Sequence, residues 1–302
     1  MVVDRNNVWA PVGLDLTGST SIDEALRKAE LDFTVEKQFL YDQSGVKIPG
    51  YFMNRRSDNG NVLGIVTGKY NIVQNREAFD FINNLIPEGI EFEKGGVWHN
   101  GRAVWVEAKL PGEYNILGDK VESHVVFINA HDGKSSVRVC MLPTRLVCSN
   151  QLALAIKNAT RCWAAIHSSK IEGKIEEAKS TLLLADKYMD ALSNEMETMA
   201  KKPMTKDEFR NIVDEVYPVD TNDSNRKRTN TVGIRTALMQ AYDAPDLDNF
   251  NGTAYKAIQS VADFMSHRQA QRNTNEFYDA RFMKLVGKDQ EADKLYSRIM
   301  AA

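Results

Sequence analysis

Two short turns constrain this chain more than any other feature of it. Asn100-Gly101 separates Phe92–Trp98 from Arg102–Lys109, and Asp132-Gly133 separates Val121–Asn129 from Ser135–Leu142. An Asn-Gly or Asp-Gly pair supplies the positive φ that a tight hairpin requires, and the flanking runs are rich in β-formers. Hairpins join neighbours in the antiparallel sense, so an antiparallel sheet is expected in the first half.

Other segments extend the pattern. Phe33–Tyr41, Ile48–Met53 and Val62–Thr67 read as strands, with turns at Ser44-Gly45 and Asp58-Asn59-Gly60 between them. Asn75 reads as an N-cap, followed by Ala78, Phe79, Ile82, Leu85 and Ile86 at helical spacing until Pro87 and Gly89. Ser149 or Asn150 is expected to cap a helix running to about Ala159. Residues 1–32 read as a loosely ordered arm, with a short helix after the capping box Ser21/Glu24.

Beyond residue 166 the pattern changes to helix. Ile171, Ile175, Ala178, Leu182, Ala185, Met189, Leu192, Met196 and Met199 form a heptad seam, which packs either on its own chain or on another subunit. Thr205/Glu208 opens a helix that stops at Pro218; Thr229–Tyr242, Thr253–Arg268 and a pair after Asn275 follow. The expected fold is α+β: an antiparallel hairpin sheet packed with helices, then a mainly helical half with one long heptad helix. The expected division is an arm at 1–32, a sheet domain at 33–165 and a helical region at 166–302.

At 302 residues the chain buries a sizeable core without help from metal or disulfide. Three cysteines, Cys140, Cys148 and Cys162, form no disulfide or zinc framework and read as buried free thiols. The N-terminus lacks a basic start followed by an apolar run, and no apolar stretch approaches the roughly 20 residues of a membrane span. A cytoplasmic protein without a membrane partner is expected.

Several suggestive patterns reduce to plain ones. Gly68-Lys69 has Leu63 where a phosphate loop needs Gly and Tyr70 where it needs Ser or Thr, so a strand-to-helix turn is the better account. His131-Asp132 sits at a hairpin turn and has no companion ligands. Asp243, Asp246, Asp248 and Asn251 lack the spacing and the closing Glu of a calcium loop. Cys148 near a helix start is a weak candidate nucleophile, and no Gly-x-Ser-x-Gly elbow exists. No catalytic residue, cofactor or metal is expected, and the chain is read as a non-enzyme.

Charge is more informative. The net charge is −3, yet Gly133 to Ile171 contains six cations and no acid. Lys134, Arg138, Arg145, Lys157 and Arg161 are expected to line one groove, with Trp98, Trp105 and Trp163 as stacking platforms. A phosphate-tracking groove with aromatic rings is the physics of single-strand binding, weighed here against a merely solvated basic face. Arg226-Lys227-Arg228 forms a second cluster in a polar stretch and reads as an exposed loop or an auxiliary DNA contact.

Val126–Gly133 running on to Val137-Arg138-Val139, Pro143–Leu152, Leu63–Tyr70 with Asn75–Ala78, and Gly252–Tyr255 together resemble a known family. It is the phage- and plasmid-like group classed as a domain of unknown function, and the resemblance covers about residues 30 to 270. It implies a phage, prophage or plasmid context and carries no catalytic residues. The order helix, antiparallel meander, helix is also similar to the core of single-strand annealing proteins of the Rad-fifty-two and phage lambda beta type. That resemblance implies rings or filaments that hold one strand in a basic groove. The expected function is binding of single-stranded DNA by a homo-oligomer, ring or filament, with annealing during recombination. The alternative is a non-catalytic protein-binding module acting on a host defence or replication protein.

Overall fold

The computed structural model describes residues 13–80, 82, 89–145, 150–151, 161–167, 185–268, 284 and 290–302. Its spine is an antiparallel meander: β5 (Glu91–Trp98), β6 (Ala103–Ile116), β7 (Asp119–Ala130) and β8 (Val137–Arg145). Both expected hairpins form, with Asn100 at φ 61°, Gly101 at φ 96° and Gly133 at φ 75°. A third turn, at Leu117-Gly118, joins β6 to β7 and makes the meander continuous. β1 (Leu14–Asp15) pairs with β5; β9 (Asn150–Gln151) and β10 (Cys162–Ala165) both pair with β8.

β2 (Val35–Tyr41), β3 (Lys47–Arg56) and β4 (Val62–Thr67) form a separate three-stranded antiparallel sheet. It docks on the tip of the β7–β8 hairpin. A Cβ on Gly64 would overlap the backbone of Asp132, and one on Gly133 would meet Val66 at 2.8 Å, so only glycines allow this approach. α1 (Ile22–Lys28) starts at Ser21, whose hydroxyl accepts from the Glu24 N–H. Far from being a loose arm, residues 13–32 belong to the body: β1 extends the main sheet, and Leu16, Ile22, Ala25 and Leu31 are buried.

α2 (Asn75–Phe79) begins one residue earlier than its sequence suggests, with Gln74 as N-cap in a capping box with Glu77. Asn75 is buried instead, its amide committed to the Leu31 carbonyl. The second half contains α3 (Ala185–Lys201), α4 (Lys206–Val216), α5 (Asn225–Tyr242), α6 (Ala254–Asp263) and α7 (Gln290–Ala301). Thr205 and Glu208 cap α4 reciprocally, as the sequence pattern requires. Ala185, Met189, Leu192, Met196 and Met199 of the seam are buried within this chain, while Ile171 to Leu182 lie outside the described residues.

Hairpin sheets in the first half and packed helices in the second make the fold α+β. One apolar cluster runs through both halves, from Leu16 and Val106 to Met196 and Ile299. The main sheet's other face carries a smaller cluster of Trp98, Ala103, Trp105, Val126, Ile128, Ala130 and Leu142. Cys140 and Cys162 are not free thiols. They stand opposite each other on β8 and β10, their Cα atoms 4.1 Å apart, joined as a disulfide. The sequence reading missed the pair because it missed β10.

Candidate nucleic-acid interface

The proposed groove can be followed strand by strand. Cross-strand neighbours share a face and successive residues alternate, so register decides which cations meet. Arg138 sits in phase with Cys140 and Leu142, on the face of the small tryptophan cluster, half-buried, its Nε 3.2 Å from Ser136 Oγ. Arg161 is the neighbour of Met141, on the face covered by helices. Its guanidinium donates to the Met141 carbonyl at 3.4 Å; burial works against its charge, while Tyr188, Asp293 and Tyr296 favour it. Arg138 and Arg161 therefore lie on opposite faces of one sheet and do not line a common groove.

The aromatic platforms are corrected as well. Trp98 and Trp105 are 0% and 1% exposed and stack on each other, with ring centroids 5.5 Å apart. In this arrangement no base reaches them. Trp163 faces the main core opposite Val139. Lys134 is exposed at the hairpin tip. Lys157 and the Arg145 side chain lie outside the described residues.

Arg226, Lys227 and Arg228 are not in a loop. Ser224 caps α5 by accepting from the Lys227 N–H, so the three cations occupy its first turn. From Asn225 to Gly233 no residue of this helix is buried, and no acid occurs between Ser224 and Tyr242. Its later turns join the core through the buried Leu238, Ala241 and Tyr242, so the polar first turns gain little from the body of their own protein.

The three-stranded sheet carries what the tryptophans do not. Phe39, Tyr41 and Tyr51 are 45%, 53% and 50% exposed, and Val46, Val62 and Ile65 are exposed around them. Phe39 and Phe52 are cross-strand neighbours with ring centroids 5.4 Å apart. Lys47 Nζ lies 3.2 Å from the Phe39 ring centre and Lys37 Nζ 5.2 Å from that of Phe52. Arg55 and Lys69 are exposed on the same small sheet and the turn after it. Lys37 Nζ donates to the Tyr70 carbonyl at 2.6 Å and Arg55 Nε to the Gly60 carbonyl at 2.8 Å, while Arg56 is committed to Asp58 and to the face of Phe33. Sequence reading missed this surface because its aromatics look like ordinary alternating strand residues; the signal lay in aromatics on both strand phases.

Three of the stretches carrying the family resemblance, Val126–Gly133, Leu63–Tyr70 and Asn75–Ala78, meet at the junction of the two sheets. His131 Nε2 donates to Asn75 Oδ1 at 2.8 Å, Asn129 Nδ2 donates to the Val73 carbonyl, and Asn54 Nδ2 to the His131 carbonyl. Tyr70 hydroxyl donates to the Ala130 carbonyl, and its ring stacks on His167. Burial, reinforced by neighbouring His167, lowers the His131 pKa to about 3; burial likewise lowers that of His167 to about 4. Asp132 receives the N–H groups of Lys134 and Ser135, which is the turn role expected of it. This knot holds the small sheet on the large one.

The calcium-like stretch is a helix link: Lys256 Nζ bonds Asp248 at 3.1 Å and Asn251 at 2.6 Å. Among the described residues the side chains able to hold a metal are Glu93, Glu107 and His124, on the tryptophan side of the main sheet. No described helix is long and apolar enough to cross a membrane. No curated protein and no solved structure matches the chain. A family model does, over residues 62–286, and the chain therefore belongs to the family described as a domain of unknown function, DUF932.

Proposed function

We propose that this protein binds single-stranded DNA on its three-stranded sheet, with the first turns of α5 as a second phosphate contact. The observation that carries the proposal is the pair of exposed rings Phe39 and Tyr41 on β2, with Lys47 over the Phe39 ring; Tyr51 and Arg55 lie on the sheet's other face, where a strand wrapping the β2 edge meets them. Rings on which bases stack, beside cations that track phosphates, provide sequence-tolerant single-strand binding. Strand annealing, assembly into a ring or filament and a phage or plasmid setting are the finer form of the same proposal. No catalytic step is part of it.

A second reading has its own support. Leu40, Met53 and Ile65 share the outer face of the small sheet with Tyr51, and aliphatic side chains suit a protein partner better than a base.

Fluorescence anisotropy with labelled single-stranded and duplex oligonucleotides separates the two. Single strands are expected to bind more tightly. If Lys47, Arg55 and Lys69 each neutralise a phosphate, log K falls against log salt with a slope of about −2. Phe39→Ala with Tyr41→Ala is expected to weaken binding at least tenfold, about 1.4 kcal/mol, in a protein that stays folded. Absence of binding at micromolar protein and low salt overturns the DNA reading and leaves the protein-partner reading in its place.

A further inference from the structure

We propose that Glu93, Glu107 and His124 form a binding site for one divalent transition-metal ion, of the Mn²⁺ or Zn²⁺ type. The three residues come from three consecutive strands, β5, β6 and β7, which register brings side by side. His124 is opposite Lys109, and Glu107 is two residues earlier on the same face. The β5–β6 register shifts between Phe92 and Lys94, leaving Glu93 as the extra residue of a bulge. A bulge re-aims a side chain, and here it brings Glu93 alongside Glu107.

The distances are those of ligands around one ion. His124 Nδ1 lies 3.1 Å from Glu93 Oε2 and 3.6 Å from Glu107 Oε1, and the three ligand atoms all fall within 4.8 Å of one another. Ligands at about 2.0–2.2 Å from a metal are about 3.0–3.5 Å apart in octahedral or tetrahedral arrangements.

Two further observations point to a ligand. First, His124 is only 6% exposed, yet its Nδ1, the nitrogen turned toward Glu93 and Glu107, has no aligned hydrogen bond. The carboxylates stand close to Nδ1 but out of line with it. A buried imidazole nitrogen without an aligned partner is rare, and coordination would satisfy it. Second, the outer ring of a metal site is already present. His124 Nε2 lies 3.4 Å from Glu122 Oε2, and Glu122 is held in turn by Lys109. A carboxylate behind the distal ring nitrogen is how a metal-ligating histidine is normally oriented.

The donor set selects the ion. One imidazole nitrogen with two carboxylates suits Mn²⁺, Zn²⁺ and their neighbours, whereas Mg²⁺ and Ca²⁺ prefer oxygen-only sites. Glu107 is buried and Glu93 is the more open of the two, with its side chain 36% exposed, so an ion would enter past Glu93.

The test uses the full chain, stripped with a chelator and dialysed. Titration with MnCl₂, followed by the loss of the free Mn²⁺ resonance signal, is expected to show one ion per chain. ZnCl₂ is expected to compete, and MgCl₂ to fail to compete at the same concentration. Either ion is expected to raise Tm. His124→Ala removes a buried group and risks the fold, so the deciding variant is Glu93→Gln, at the exposed ligand. It is expected to keep the metal-free Tm and bind Mn²⁺ at least tenfold more weakly, while Glu91→Gln, on the same strand, binds normally. A wild-type chain that takes up neither ion and shows no Tm shift overturns the site. So does a folded Glu93→Gln chain with unchanged affinity.

Discussion

His131 shows how one residue joins local chemistry to the whole fold. Its neutral ring is buried and tied to Asn75, and its pKa is lowered to about 3. A histidine free in the unfolded chain titrates near 6.5. Between these values the unfolded chain binds a proton that the folded one refuses, so stability is full above 6.5 and falls as pH drops toward the folded value. His167, lowered to about 4, adds to the same slope. Thermal unfolding followed from about pH 7.5 down to about pH 5 is expected to show a falling Tm. His131→Gln, less stable at neutral pH, is expected to lose part of that slope; an equal slope in both proteins refutes the assignment. The sequence showed His131-Asp132 as a turn, and Asp132 is one. It did not show the partners of His131, because Asn75 and Asn54 approach from elements 56 and 77 residues away in sequence.

Elements were more legible than their uses. The hairpins at Asn100-Gly101 and Asp132-Gly133, the Thr205 cap and the seam from Ala185 to Met199 follow from local rules and appear in the structure. β10 was missed because four residues carry too little periodicity, and with it went the Cys140–Cys162 pair. The start of α5 was read as a loop because Asn, Thr and three cations resemble one; only the Ser224 cap marks it as helix. That start supports a clean prediction. Acids are favoured and cations disfavoured in a first helical turn, so replacing Arg226, Lys227 and Arg228 by Glu improves the match to the helix dipole. The exposed Lys227–Asp223 pair that is lost is worth only ~0–1 kcal/mol. The triple variant is therefore expected to match the wild type in Tm while binding single strands roughly tenfold more weakly, a loss of about 1.4 kcal/mol. Unchanged affinity removes α5 from the interface and leaves the small sheet alone.

At the scale of the molecule, the two halves share one core. Tyr188, Met189 and Leu295 belong to the same apolar cluster as Val104, Phe127 and Met141. The sequence reading placed a boundary between residues 165 and 166, where strand pattern gives way to helix, but a change of secondary structure is not a change of core. A chain ending at residue 165 is expected to lack a cooperative unfolding transition, because one face of its sheet would be left without the helices that cover it. A sharp two-state melt from that fragment refutes the single-core description.

β4 is one strand of the three-stranded sheet, and the family match begins at its first residue, Val62. Its hydrogen-bonding partner β3, and β2 beyond that, precede the match. Similarity thus cuts through a folding unit. A protein consisting of the matched stretch alone would present β4 as an unpaired edge, an invitation to aggregation unless some other segment zipped onto it. The rings of Phe39 and Tyr41 belong to this unmatched portion, so the surface proposed to hold DNA lies outside the stretch this chain shares with its family.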